Sequence, residues 1–164
     1  MDIQSDTKNA PVRDDLSGRW SHTSFLLDPT SITPGENPKA LQQSVARIWA
    51  QGTLQLTETR QAGERDTLKG ELEFPSGVKL KIRGRRVPDV FGDIEGIILE
   101  GTGSIPIGSG PIDLKYDLVA TLSPDWRQAP EPLTITGSIR AAGFDPKAPT
   151  GTVGAFVLVP LGDG

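Results

Sequence analysis

Few side chains in this sequence have a type and placement suited to chemistry. His22 is the single histidine. On an extended segment it shares a face with Trp20, Ser24 and Leu26, so an inward Trp20 carries His22 and Ser24 inward with it. There an imidazole can hydrogen-bond a ligand or act as an acid or base. Glu100 falls in alternation with Ile94, Gly96 and Ile98. On the inner face of a sheet its carboxyl would be desolvated and fit to donate or accept a proton. His22 and Glu100 are therefore the candidate catalytic pair if there is turnover. Tyr116, the single tyrosine, lies mid-strand on an apolar face, where its hydroxyl needs a partner. Trp49, and Trp126 within the proline-rich stretch 123–132, are candidates to border a binding site. The ligand-binding set is thus Trp20, His22, Ser24, Trp49, Tyr116 and Trp126.

Other chemistries are excluded. The chain has no cysteine, so disulfides, thiolate metal sites and a cysteine nucleophile are impossible. One histidine rules out an HExxH zinc site. No G-x-S-x-G elbow or P-loop occurs, and Gly101-Thr102-Gly103 followed by Pro106 fails the dinucleotide pattern. No metal and no cofactor is expected. The formal net charge of −4 argues against nucleic acid as a partner. No run of eighteen apolar residues is present, so no helical membrane span is expected. The opening segment is polar and lacks a secretory h-region, which makes a cytoplasmic location the expectation.

The elements that must position these residues are strands. The 19 glycines and 14 prolines are spread along the chain, which suits many short turns. After a polar tail over 1–16, residues 17–164 read as one domain. Strands are predicted at 18–27, 44–58, 67–74, 78–85, 93–102, 111–122, 133–141 and 151–161, most of them alternating apolar and polar. A long loop over 28–39 and the stretch 123–132 are candidate lids. In 44–58 a helical spacing of Leu41, Val45, Ile48 and Trp49 competes with alternation. A strand, entered through a helical turn and bent at Gly52, covers more residues. The clearest hairpin pairs Phe74 with Val78 across Pro75-Ser76-Gly77. It sets Glu73 opposite Lys79 and Glu71 opposite Lys81, so the basic cluster Lys79, Lys81, Arg83, Arg85 and Arg86 reads as a solvated outer face rather than a nucleic-acid footprint. In 111–122, Ile112, Leu114, Tyr116, Leu118, Ala120 and Leu122 share the apolar face. In 151–161 that face is assigned to Val153, Ala155, Val157 and Val159.

The predicted fold is all-β: a single antiparallel up-and-down barrel of about eight strands, with a two-sheet jelly roll as the alternative. Eight strands suffice to close a barrel around a narrow interior, and closure removes exposed edges.

Gly18-Arg19-Trp20 on the first strand resembles the Gly-x-Trp signature of the lipocalins and their calycin relatives, including the avidins. The resemblance implies a cup-shaped barrel with Trp20 plugging the closed end and a late basic residue, here Arg140, packed over it. It also implies a homodimer formed through barrel walls. The lipocalin helix after the barrel and the second and third lipocalin motifs are missing. Residues 91–103 more faintly resemble the glycine-rich strands of allene-oxide-cyclase-like barrels. The leading expectation is a protein that binds a small, largely apolar molecule inside the barrel. The alternative is a cofactor-independent cyclase or isomerase that folds a polyene or polyketide-like substrate. A third reading is a binding or inhibitor module acting through loops or outer surface.

Overall fold

The computed structural model describes residues 16–27, 46–59, 67–88, 95–122 and 134–162. The chain forms eight strands: β1 (Gly18–Leu27), β2 (Ala46–Thr59), β3 (Thr67–Glu73), β4 (Lys79–Pro88), β5 (Glu95–Ile107), β6 (Gly110–Leu122), β7 (Ile135–Ala141) and β8 (Val153–Pro160). Each pairs antiparallel with the next, and β8 pairs with β1, which closes an up-and-down barrel and excludes a jelly roll. Strands β2, β5 and β6 run 14, 13 and 13 residues, longer than the usual three to ten or so. Among the described residues no helix is long and apolar enough to cross a membrane.

The β3–β4 hairpin has the predicted register: Glu73 faces Lys79, Glu71 faces Lys81, Leu72 faces Leu80 and Gly70 faces Ile82. Phe74 N–H donates to the Val78 carbonyl (3.0 Å), and Gly77 N–H to the Phe74 carbonyl (2.9 Å). Gly77 adopts φ 87°, the left-handed region that glycine enters without steric cost. Leu68, Leu72, Leu80 and Ile82 face the core, while Lys79 pairs with Glu71 outside at 3.4 Å.

On three strands the inner face differs from the sequence expectation. In β5, Ile97 and Leu99 are buried, while Ile98 is exposed and Glu100 lies with it outside. Strand β6 decides this. Tyr116 stands opposite Gly101 and points inward, so Glu100 and its partner Asp117 belong to the other face. In β8 the inner residues are Phe156 and Leu158, with Gly154 between strands, whereas Val153 and Val159 are exposed. Both faces of β5 and β8 carry apolar residues, so alternation alone cannot tell them apart. In β2 the bend is a bulge at Trp49: Ser24 pairs with Ala50 but Phe25 with Ile48, leaving Trp49 as the extra residue. The bulge reverses the alternation, so Ile48 points out and Trp49 in. The helical turn expected before it, and the loops 28–39 and 123–132, lie outside the described residues.

The end of the barrel where β1 begins is plugged. The Trp20 indole N–H donates to the Leu16 carbonyl (3.0 Å), and the Leu16 amide donates to Glu58 Oε2 (2.7 Å). Arg86 donates Nε to Glu58 Oε1 (2.5 Å) and Nη2 to Oε2 (3.0 Å), with both side chains buried. This bidentate geometry satisfies charges that would be costly to bury alone. Arg140 does not serve here. It lies on the outer wall, 2.5 Å from Asp117, because its alternation with the inward Ile139 and Ala141 turns it to solvent.

A barrel this narrow needs glycine where strands crowd. A Cβ on Gly137 would stand 2.1 Å from the Val119 carbonyl oxygen and 2.8 Å from Phe156. Gly110 has open space and an ordinary φ. Gly137→Ala is expected to destabilise the fold by about 1–3 kcal/mol, as overpacking does, while Gly110→Ala leaves stability within about 0.5 kcal/mol. Urea unfolding of the two variants checks this contrast.

Candidate functional site

The two ends of the lumen are filled differently. Towards the plugged end Leu56, Ile97, Leu99, Ile135, Phe156 and Leu158 close around a void of only about 10 Å³. That is too little for more than one water. The other half holds a cavity of about 400 Å³. Its walls are mainly Leu72, Leu80, Leu114, Leu118 and Ile139, and its rim includes Phe74 and Pro75. Inward alternation on β3, β4, β6 and β7 places these aliphatic side chains there.

Polar groups interrupt this lining at two levels. Deeper in the barrel, on β1, lie His22 (2% exposed) and Ser24 (1% exposed). The imidazole stacks on the Phe156 ring, with centroids 6.1 Å apart and planes at 20°. Burial pushes its pKa down from 6.5 to about 4, so the ring is neutral at pH 7. Its Nδ1 is buried with no hydrogen-bond partner among the described residues. Ser24 Oγ makes a long contact, 3.4 Å, to the Ala50 carbonyl.

Nearer the opening, Asp145 gathers three donors. The Trp49 indole N–H reaches Oδ2 at 3.2 Å, the Tyr116 hydroxyl donates to the same oxygen, and the Lys147 amide reaches Oδ1 at 2.7 Å. Lys147 Nζ donates in turn to the Trp49 carbonyl (3.0 Å). The Trp49 and Tyr116 rings meet edge to face, 6.0 Å apart at 75°. The β7–β8 connection, residues 142–152, is thereby stitched to β2 and β6. Its base is closed by Ala141 N–H to the Thr152 carbonyl (2.9 Å) and Gly151 N–H to the Ala141 carbonyl (2.7 Å). Burial, then the hydrogen bond to Asp145 and its charge, push the Tyr116 pKa well above that of a free phenol. The hydroxyl keeps its proton.

Of the candidate residues, His22, Ser24, Trp49 and Tyr116 come together around this cavity. Trp20 is buried in the plug instead. Glu100 is on the outer wall, its side chain half exposed and 3.6 Å from Lys115 Nζ, so it cannot act with His22 inside the barrel. Trp126 lies outside the described residues. Asp145 and Lys147 had no signal in the sequence beyond a polar loop containing Asp-Pro, which is ordinary turn chemistry. Among the described residues no group of three or more His, Asp or Glu side chains converges to hold a metal. Set against protein-family models, curated proteins and solved structures, the chain matches none.

The state of His22 has a consequence for stability. An unfolded chain takes up this proton near 6.5, whereas the folded ring resists until about 4. The folded protein therefore loses stability as pH falls through that window, by up to roughly 3 kcal/mol from this group, with no further loss from it below. Unfolding free energies at several pH values should show His22→Leu losing less stability between pH 6.5 and 4 than the unaltered protein.

Proposed function

We propose that this protein binds one small, largely apolar molecule in the open half of its barrel. The observation that carries the reading is the contrast within a single lumen: about 10 Å³ of void at the plugged end and about 400 Å³ at the other. Interiors normally pack to crystal-like density. A cavity of this size, aliphatic with a few placed polar groups, is the usual form of a small-molecule site. The layout also supports a calycin-like cup, with Gly18-Arg19-Trp20 opening β1 and Trp20 buried at the closed end.

A second reading, a cofactor-independent cyclase or isomerase, is favoured by two groups on the cavity wall. His22 is neutral and presents an N–H and a lone pair for hydrogen bonding, and Tyr116 is held protonated against Asp145. Holding a flexible substrate folded and dry is enough to speed ring closure, with such groups assisting. Conversion of an added polyene by purified protein, lost in His22→Leu, distinguishes this reading from simple carriage.

Filling the cavity tests the binding reading directly. Leu114 is buried in its wall. Leu114→Trp should occupy the space and lower affinity for an apolar fluorescent probe such as anilinonaphthalene sulfonate at least tenfold. Native mass spectrometry of the protein as expressed should show a retained small molecule that this variant lacks. A protein that carries no adduct and takes up no apolar probe rejects the reading.

A further inference from the structure

We infer that the molecule bound in the open half of the barrel is a neutral alcohol or phenol, and that His22 is the residue that recognises its hydroxyl. This rests on the binding reading above and adds the chemical class of the ligand.

The first ground is a count of donors and acceptors on the cavity wall. The Trp49 indole N–H and the Tyr116 hydroxyl both donate to Asp145. Lys147 Nζ donates to the Trp49 carbonyl, and Ser24 Oγ is directed at the Ala50 carbonyl. The indole and phenol donors are thus engaged within the protein, while Ser24 makes only a long contact of 3.4 Å and Lys147 Nζ keeps further protons at the opening. Acceptor capacity also remains on the wall, including the Tyr116 phenol oxygen, which can accept while it donates. A ligand that carries a donor fits such a wall, whereas a ketone, an ether or a hydrocarbon leaves that capacity unused.

The second ground is His22. It lines the cavity at 2% exposure, and its Nδ1 has no partner among the described residues. Buried side-chain nitrogens are nearly always paired, so this exception asks for a missing partner. A neutral imidazole presents one N–H and one lone pair, and a half-turn of the ring exchanges nitrogens with carbons at no change of volume. A hydroxyl both donates and accepts, so it pairs with either tautomer. The cavity of about 400 Å³ has room for an apolar body with such a group attached.

The third ground is charge. Among the described residues the cation beside the cavity is Lys147, which sits at the opening, where its Nζ donates to the Trp49 carbonyl, rather than beside His22. The buried Arg86 belongs to the plug, paired with Glu58. A carboxylate drawn down to His22 would lose its hydration and meet a neutral ring. An anion whose carboxylate must reach His22 is therefore a poor ligand here.

Three probes of one shape separate these possibilities: naphthalene, naphthol and naphthoate, measured by equilibrium dialysis at neutral pH on protein stripped of small molecules. Naphthol should bind about tenfold more tightly than naphthalene, the gain expected of one buried hydrogen bond, and naphthoate no better than naphthalene. His22→Leu should erase the naphthol advantage and keep naphthalene binding. Because His22 is the single histidine, its imidazole nitrogen resonances report the contact in the unaltered protein. They should move with naphthol and stay with naphthalene, which decides the matter even if the variant does not fold. Naphthoate binding as tightly as naphthol, or a naphthol advantage that survives in His22→Leu, overturns the assignment. If all three probes bind alike, the binding reading stands and the assignment of a hydroxyl ligand falls. If none binds, both fall.

Discussion

The antiparallel pairing of β1 with β8, from Trp20 opposite Pro160 to Leu26 opposite Gly154, is the constraint from which the other features follow. Once the sheet meets itself, every strand has an inside and an outside, and a single residue's error in register would turn a whole row of side chains around. Closure at eight strands also makes the lumen narrow. At Gly70, Gly84 and Gly137 a Cβ would stand within 2.1 Å of the adjacent strand's carbonyl oxygen, so none of the three has room for a side chain. The same narrowness lets one tryptophan and one buried ion pair stop the lower end.

With that end stopped, the barrel divides its tasks along its axis. The lower half packs aliphatic side chains and encloses the Glu58–Arg86 pair, whose charges satisfy each other through two hydrogen bonds. The upper half leaves space and spends its polar groups on position. Asp145 fixes the Trp49 ring and the Tyr116 hydroxyl at once, so two aromatic walls and the β7–β8 connection are held by one carboxylate. A cavity walled this way is shaped by the protein alone, which would reduce the ordering cost of the binding proposed above.

Much of this was legible in the residues, and the reasons for the exceptions are physical. The β3–β4 hairpin declared its register because glutamates and lysines alternate opposite each other, which leaves only one apolar face. Strand β6 was as clear, with Asp113, Lys115 and Asp117 marking the outside. On β1 the shared parity of Trp20, His22 and Ser24 tied their orientations together, and the structure turns all three inside. Strands β5 and β8 misled because apolar residues occur on both faces. Ile97 and Ile98 stand back to back in β5, and the valines of β8 lie on the face opposite Phe156 and Leu158. The orientation of β5 is imposed by partners such as Tyr116 opposite Gly101. Asp145 was invisible for a different reason. It meets Trp49 across 96 residues of chain, a contact that no local pattern encodes. Arg86 was likewise hidden among four other basic residues. Only its neighbours in space separate the buried member of that cluster from the solvated ones.

The bulge at Trp49 gives β2 opposite inside–outside codes on its two sides. Substitution at Ile48 or Trp49 changes the size of a side chain but leaves each pointing where it does. Removal of one residue would do something else: it would restore regular pleating, send the indole outward and swing its aliphatic neighbour into the lumen. The contents of the cavity are thus open to revision by the gain or loss of a single codon. Related barrels differing by such an indel at this point would be expected to hold differently shaped guests on an otherwise unchanged frame.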